Sequence, residues 1–267
     1  MPATRHPLSI THIGCATAIF EIGGLRIMTD PTFDPPQHYY GHYTEGLNNV
    51  IKTRGPALQA HEIGKIDVCF ISHDHHIDHL DYTGRDFIKS VPDIYTSPLS
   101  AVRLRLPGQA KGLPYDESVT VELPEGGQIR ITAIPAHHGP AGVWEALGPV
   151  TGFVVEGDCP KTYFTGDNAD VGLSQEIIDR FPGIEIAVLH AGGPSFEEFG
   201  EITLTYANDQ VLEVSKMLPE ATMVPMHMDS WVHFKQGPDT MRDTFIKAGI
   251  EERLMIPTWG EREVIKE

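Results

Sequence analysis

The hydrophobic pattern at the start of the chain predicts an antiparallel β-sheet. Apolar and β-branched residues dominate the stretches 9–13, 17–22 and 25–28, each of which has the length of a strand. Gly23 and Gly24 separate the second stretch from the third, and such a pair is typical of a tight hairpin turn. We therefore expect the chain to open with a β-hairpin.

Later in the chain the pattern alternates between strands and helices. A continuous apolar run at 66–71 is typical of a buried strand, and it ends directly before Ser72. Further strand patterns lie at 93–96, 118–123, 128–135, 151–156, 161–165, 184–189 and 223–226, and the last of these is a final buried strand. Helix patterns lie near 86–90, after Ser97-Pro98, at 173–181, along the face of Ala207, Val211, Val214 and Leu218, and at 238–248.

The order of these elements predicts the fold class. Two successions of β-meander, strand and helix, without a Pro/Ser-rich linker between them, favour a single domain over residues 1–267. We expect an α/β protein, built as a four-layer αββα sandwich of two mixed β-sheets flanked by helices. Residues 31–64 lack periodicity and predict a long loop. This loop contains aromatic and imidazole side chains, which suggest the wall of a substrate pocket or, alternatively, a surface or oligomer contact. They are Tyr39, Tyr40, His42 and Tyr43.

Charge and composition exclude several classes of protein. A formal net charge of -17 opposes binding to nucleic-acid phosphates, and no Lys/Arg cluster offsets it. No stretch approaches the roughly 20 apolar residues of a membrane span, and no signal-peptide pattern opens the chain, so we expect a cytoplasmic protein. The three cysteines, at 15, 69 and 159, lack Cys-x-x-Cys spacing and are expected in the core. The expected partner is a small-molecule substrate, and homo-oligomer formation stays open.

Residues 72–81 concentrate metal-ligating side chains directly after the predicted buried strand. This stretch contains four histidines and three aspartates in ten residues. Imidazole is the commonest transition-metal ligand, and carboxylates beside it suit Zn²⁺, Mn²⁺ or Fe²⁺. A hydrophilic surface loop gives no reason for this density. The stretch therefore predicts part of a metal centre.

Three later segments place the same residue types at the ends of predicted strands. The first segment contains His137 and His138, the second contains Asp167 and the third contains His227. Each of these residues lies just beyond an apolar run. Strand ends in layered α/β folds gather along one edge. Together with residues 72–81, these segments predict one shared site.

The ordered set of His-rich cluster, later His, Gly-Asp and final His resembles the metallo-β-lactamase superfamily, whose motif is His-x-His-x-Asp-His. The similarity is greatest to the branch of ascorbate-6-phosphate lactonase-like and N-acylphosphatidylethanolamine phospholipase D-like hydrolases. The resemblance spans residues 9 to about 234. Three further motifs carry it, namely Ile27-Met28-Thr29-Asp30-Pro31, Pro135-Ala136-His137-His138 and the closing segment at 224–234.

This resemblance implies a hydrolase with a two-metal site. One ion would be held by His73, His75 and His138, the second by Asp78, His79 and His227, and both by Asp167. The implied cofactors are one or two divalent transition metal ions, Zn²⁺, Mn²⁺ or Fe²⁺. A metal-bound hydroxide would attack a lactone, amide or phosphodiester, and Asp78 would orient it as the catalytic residue. The alternative is a non-catalytic metal-binding or ligand-sensing protein that retains the fold.

One departure from the motif leaves two registers open. Two residues separate His75 from Asp78, where the family has one. Either the loop bulges and retains His73 and His75, which we favour, or Asp74 and His76 take the first two positions. In the favoured register His76 supports another ligand or faces solvent. Only the register with Asp74 and His76 in the first two positions would supply the extra carboxylate of a diiron redox centre. The added residue also leaves open a site that holds a single metal ion.

Further side chains are expected close to the metal ions. The Pro-Ala-x-His spacing favours His138 over His137 as a ligand, so that His137 would support another ligand. His190 ends a predicted strand, where it contacts substrate, moves a proton or has a structural role. Trp231 and His233 lie just beyond the closing histidine and are expected to line the pocket or support the ligands.

Overall fold

The computed structural model describes residues 5–39, 50–196, 200 and 202–267, and strands dominate this part of the chain. In chain order the strands are β1 (Leu8–Gly14), β2 (Thr17–Ile22), β3 (Leu25–Thr29), β4 (Gln37–Tyr39), β5 (Val50–Lys52), β6 (Val68–Phe70), β7 (Asp93–Thr96), β8 (Ala110–Gly112), β9 (Ser118–Glu122), β10 (Gln128–Ala136), β11 (Val150–Gly157), β12 (Thr162–Phe164), β13 (Ile186–His190), β14 (Thr222–Met226) and β15 (Arg262–Lys266).

The helices are short and follow the strands. They are α1 (Tyr82–Phe87), α2 (Pro98–Leu104), α3 (Trp144–Leu147), α4 (Val171–Arg180), α5 (Asn208–Met217) and α6 (Pro238–Ala248), with 3₁₀ turns at Ala60–Glu62, Ile88–Ser90 and Glu251–Arg253. Three of these helices begin at a residue whose side chain caps the first turn. Asp81, Ser97 and Asp170 each accept a backbone N–H from the first turn, of α1, α2 and α4 respectively. Among the described residues, no helix combines the length and the hydropathy that a bilayer crossing requires.

Two large mixed sheets organise the chain. The first has the order β15-β1-β2-β3-β6-β7-β8 and the second has the order β14-β13-β12-β11-β10-β9. In the second sheet β12, β13 and β14 run parallel, whereas β9 to β12 pair antiparallel. The predicted opening hairpin is β2–β3, and its turn residues Gly23 and Gly24 have φ of 49° and 81°. These left-handed conformations favour glycine, as the sequence pattern indicated.

Apolar layers join the sheets to each other and to the helices. Between the sheets, Phe70 stacks on Phe153 with 4.4 Å between ring centroids, and Phe20 meets Phe164 edge-on at 4.9 Å. The outer face of the first sheet packs on α1 and α2, and that of the second on α4, α5 and α6. The predicted αββα sandwich of two mixed sheets is confirmed.

Four strands have no counterpart among those expected from the sequence, namely β4, β5, β8 and β15. The final buried strand expected at 223–226 is β14, and its residues 223–226 are buried. β15 follows it as an additional edge strand that pairs antiparallel with β1 in the first sheet. β15 reads Arg-Glu-Val-Ile-Lys and is half-exposed, so its short edge sequence lacks the apolar run of a buried strand.

The region 31–64 is not a plain loop, because β4 and β5 form a small antiparallel hairpin within it. Tyr39 is buried and its hydroxyl donates to Asp34 Oδ2 at 2.9 Å. The buried amine of Lys52 lies 3.0 Å from Asp81 Oδ2, which also accepts the N–H of Asp34 at 2.7 Å. This charge pair ties the hairpin to the start of α1. The other predicted rings, Tyr40, His42 and Tyr43, lie outside the described residues.

Gly84 tests how closely the backbone of Pro31 approaches α1. An added Cβ would lie 1.9 Å from the carbonyl oxygen of Pro31. We expect Gly84→Ala to lower the free energy of unfolding by about 2 kcal/mol through overpacking, although alanine normally favours a helix by up to about 1 kcal/mol over glycine. Urea unfolding followed by circular dichroism measures the change.

The matched control is Gly55→Ala, whose Cβ would come no closer than 3.7 Å to a neighbour. It should alter the free energy of unfolding by less than about 0.5 kcal/mol. Equal stability of the two variants would contradict the close approach of Pro31 to α1.

Candidate metal centre

Five strands bring histidine and aspartate side chains to the same edge of the two sheets. His73, His138, Asp167 and His227 lie one to three residues beyond β6, β10, β12 and β14, and His190 is the last residue of β13. All five side chains are buried. Because β12, β13 and β14 are parallel, their carboxyl ends meet at this edge. The structure therefore brings together the strand ends that the sequence singled out.

A first group of potential ligands consists of His73, His76, His138 and Asp167, whose ligand atoms all lie within 4.8 Å of one another. His76 Nδ1 lies 2.9 Å from His73 Nε2 and 3.2 Å from His138 Nε2. Asp167 Oδ2 lies 3.3 Å from His138 Nε2. The Nδ1–H of His138 donates to the Leu204 carbonyl at 2.8 Å, so its Nε2 lone pair faces the group.

A second group consists of His79, Asp167, His190 and His227, again within 4.8 Å. His79 Nε2 lies 3.0 Å from Asp167 Oδ2, and the Nδ1–H of His190 donates to Asp167 Oδ1 at 2.9 Å. His227 Nδ1 lies 3.8 Å from Asp167 Oδ1. Because Asp167 belongs to both groups, its carboxylate stands between two candidate ion positions.

Several buried nitrogens of the second group lack a hydrogen-bond partner within the described part of the chain. They are Nε2 of His79 and both ring nitrogens of His227. Buried polar atoms are normally satisfied, and a cation among converging lone pairs satisfies them. Imidazole with carboxylate is a donor set that suits Zn²⁺, Mn²⁺ or Fe²⁺. The residues present therefore fit divalent transition metal ions.

Burial and mutual contacts set the protonation states of these groups. Burial holds the pKa values of His73 and His76 well below the usual range. Burial alone would raise the pKa of Asp167, but the surrounding imidazoles outweigh it and hold that pKa well below its ordinary value. Burial opposes charging of His79, yet the adjoining carboxylates raise its pKa well above the usual range. An ion in the second group would replace this proton, so binding there weakens as the pH falls.

Asp30 and Ser72 hold the ring of His79 from the side away from Asp167. Asp30 Oδ1 accepts the N–H of Ser72 at 2.7 Å, and Asp30 Oδ2 lies 3.2 Å from His79 Nδ1. The Ser72 hydroxyl contacts Nδ1 of His73 at 2.9 Å and Nδ1 of His79 at 3.2 Å. These contacts fix the proton of His79 on Nδ1 and aim Nε2 at Asp167.

The structure places His76, and not His75, in the first group. His75 Nδ1 accepts from Arg103 Nη2 at 3.0 Å, and its Nε2–H donates to the Leu147 carbonyl at 2.6 Å. Both ring nitrogens are thereby used, so His75 offers no lone pair to an ion. This arrangement differs from both registers expected from the sequence. The extra residue lies between the first two histidines, and residues 76–79 keep the family spacing His-x-Asp-His.

Asp78 lies beside the second group rather than within it. Its Oδ2 is 3.6 Å from Nε2 of His227 and 3.1 Å from Nε2 of His233. Burial alone would raise the pKa of Asp78, but the adjoining imidazoles of these two histidines outweigh it and hold the pKa well below its ordinary value. Asp78 is therefore a carboxylate at neutral pH.

Two predicted residues lie farther out. The Nδ1–H of His137 donates to Asp170 Oδ2 at 2.9 Å, and its ring stacks on Trp144 at 4.2 Å between centroids. Trp231 is buried with its ring 5.4 Å from that of Tyr39. Neither His137 nor Trp231 joins the two groups or the wall of the cavity beside them.

A small cavity of about 10 Å³ opens onto both groups, which is room for roughly one water molecule. Its polar wall consists of His76, Asp78, His138, Asp167, His227 and His233. Its apolar wall consists of Val50, Pro194, Phe196 and Leu204. Both groups are therefore reached through one cavity.

Sequence patterns gave no role to Arg103 or to the carbonyl of Leu204. A backbone carbonyl carries no sequence signal, and an arginine on a distant helix cannot be paired with a loop histidine by spacing. The place of His76 did have a signal, because the spacing of residues 76–79 matches the family motif without an insertion.

Together, the fold and the two groups define a four-layer α/β protein with a buried His/Asp metal centre. The family model described as beta-lactamase superfamily domain matches residues 25–228. This is well over half of the chain, which therefore belongs to the metallo-β-lactamase superfamily.

Three similar proteins illustrate the relationship. A UPF0173 metal-dependent hydrolase of Pelotomaculum thermopropionicum is 30% identical over 51% of this chain and 57% of its own length. The N-acyl-phosphatidylethanolamine-hydrolyzing phospholipase D 1 of Caenorhabditis elegans is 24% identical over 84% of this chain and 64% of its own. The chain thus spans less than two thirds of these relatives. The solved isothiocyanate hydrolase from Delia radicum gut bacteria shares the fold, with a TM-score of 0.79, 24% identity and coverage of 97% and 99%.

The positions of His75 and His76 generate a paired prediction. We expect His76→Ala to weaken binding of Zn²⁺ or Mn²⁺ at the first group by more than about 100-fold, because it removes a converging nitrogen. His75→Ala should retain the metal, because that ring is used by Arg103 and Leu147. Metal content per chain after dialysis, measured by plasma mass spectrometry, distinguishes the two variants, and the opposite ranking would overturn this register.

Asp30 offers a second test of the centre. Asp30→Asn keeps an oxygen for the Ser72 N–H but loses the charge beside His79 Nδ1. We expect metal affinity at the second group to fall about 10- to 100-fold, as for other residues that orient a liganding histidine. Calorimetric titration with Zn²⁺ measures it. An unchanged second binding step would show that Asp30 only shapes its own turn.

Proposed function

We propose that the chain is a metal-dependent hydrolase whose two ions are held around Asp167. The observation that carries this proposal is the carboxylate of Asp167, which is shared by two groups of buried imidazoles beside one cavity. The first ion is assigned to His73, His76 and His138. The metal-dependent hydrolases among its relatives support the same activity.

The second ion is assigned to His79 and His227, with Asp78 as the added carboxylate. Asp78 Oδ2 is 3.6 Å from His227 Nε2, which has no hydrogen-bond partner among the described residues. His190 already uses its Nδ1–H on Asp167 Oδ1, so we assign it to orienting that carboxylate.

When bound, such ions supply Lewis acidity, which lowers the pKa of water and stabilises negative charge on the substrate. The side chains of the cavity supply the rest. Asp78, held as a carboxylate beside His233 Nε2, is the proposed catalytic residue that accepts a hydrogen bond from the attacking water. Val50, Phe196 and Leu204 exclude bulk water from the same space.

The cavity favours an uncharged substrate, such as a lactone or amide, over a phosphodiester. No lysine or arginine is among the described residues of its wall. The stretches that adjoin Val50 and Phe196 along the chain, 40–49 and 197–201, also contain neither residue in the sequence. Phosphate recognition normally uses these cations, whereas apolar residues here adjoin the reacting position. The isothiocyanate hydrolase of similar fold adds another neutral electrophile to the candidates.

Turnover tests the proposal against the alternative of a non-catalytic metal-binding protein. The enzyme is stripped with chelator, reloaded with Zn²⁺, Mn²⁺ or Fe²⁺, and assayed with neutral lactones, amides, isothiocyanates and bis(4-nitrophenyl) phosphate. We expect metal-dependent hydrolysis of a neutral compound, with kcat reduced at least about 100-fold in Asp167→Ala and His138→Ala.

His61→Ala, at an exposed position away from the centre, is the matched control and should retain the rate. Metal binding without turnover of any of these compounds would favour the non-catalytic alternative. Faster hydrolysis of the phosphodiester than of every neutral compound would overturn the substrate assignment.

A further inference from the structure

A second and larger cavity lies on the other side of the loop that carries the first histidines. Its volume is about 730 Å³, within the range of small-molecule sites. His75 faces this cavity, whereas the next residue, His76, faces the metal centre. The loop therefore has one face toward each cavity.

The second cavity is cationic in a strongly acidic chain. Arg85, Arg103 and Arg105 line it, and Asp74 is the single carboxylate among its described lining residues. The chain as a whole has a formal charge of -17. Guanidinium groups thus outnumber carboxylates three to one here, which reverses the local charge and attracts anions.

Existing contacts hold two of these arginines in place. Arg103 Nε lies 2.9 Å and 3.1 Å from the two oxygens of Asp74, which is buried. Arg85 donates to the backbone carbonyl of Asp74. Arg105 is the residue directly after α2 and has φ of 55°. This left-handed backbone ends the helix at the cavity and leaves an exposed guanidinium there.

Apolar side chains adjoin the guanidinium groups. Leu99 and Val102 lie one turn apart on α2 and are 48% and 74% exposed. Both line the cavity, as do Leu147 and Pro149. Large apolar residues with this much exposure, beside cations, fit a ligand that has both an apolar chain and a negative charge.

We infer that this cavity is a binding site for a small organic anion, a carboxylate carrying an apolar chain. The guanidinium of Arg105 would bind the carboxylate beside the Arg103–Asp74 pair, and Leu99 and Val102 would cover the chain. The assignment is independent of the hydrolase activity, because it uses none of the proposed metal ligands.

Calorimetric titration of the purified full chain with octanoate tests this site. We expect saturable one-to-one binding that weakens at high salt. Arg105→Gln should weaken it about tenfold, since it removes a charge-assisted hydrogen bond, and Val102→Ser should weaken it several-fold. Both positions are exposed, and thermal unfolding verifies that each variant remains folded.

Controls separate this site from other sources of binding. Arg242→Gln makes the same charge change on α6, on the opposite outer layer, and should bind octanoate as the parent chain does. Equal affinity for 1-octanol would refute recognition of the anion. Unchanged octanoate affinity in Arg105→Gln or Val102→Ser would place the ligand elsewhere, such as at the metal centre, and absence of binding would overturn the inference outright.

Discussion

The buried carboxylate of Asp167 is the interaction on which the metal centre depends. Its side chain is 1% exposed and lies within 4.0 Å of a ring nitrogen of five histidines. An uncompensated charge at such a depth costs several kcal/mol, so the imidazoles and the ions they would hold must be in place together. The ends of five strands must therefore all converge on the Asp167 carboxylate. These strands are β6, β10, β12, β13 and β14.

Contacts outside the two groups decide which atoms face that point. Asp30, Ser72 and the Leu204 carbonyl each fix a ring so that a lone pair faces inward. His75 shows the opposite case, because Arg103 and Leu147 use both of its nitrogens and turn it outward. Donor identity in this centre is therefore set by neighbours that bind no ion themselves.

The sequence predicts the parts of the structure that depend on local pattern. The αββα class, the β2–β3 hairpin and the strand ends follow from apolar runs, turn glycines and the polar residues after them. The choice between His75 and His76 as a metal ligand does not follow from local pattern. It depends on Arg103 and Leu147, which are 28 and 72 positions away from His75 in the sequence. β15 and the β4–β5 hairpin also lack a local signal, since their pairing partners supply the stability that their short sequences do not.

The pairing of β15 with β1 has a consequence for the order in which the chain can fold. β1 lies between β2, which follows it almost at once, and β15, which is more than 240 residues later. During synthesis one edge of β1 therefore presents open N–H and C=O groups until residue 266 has emerged. Such an edge can recruit a strand from another nascent chain. The last residues of this sheet thus protect the first ones from association between unfinished molecules.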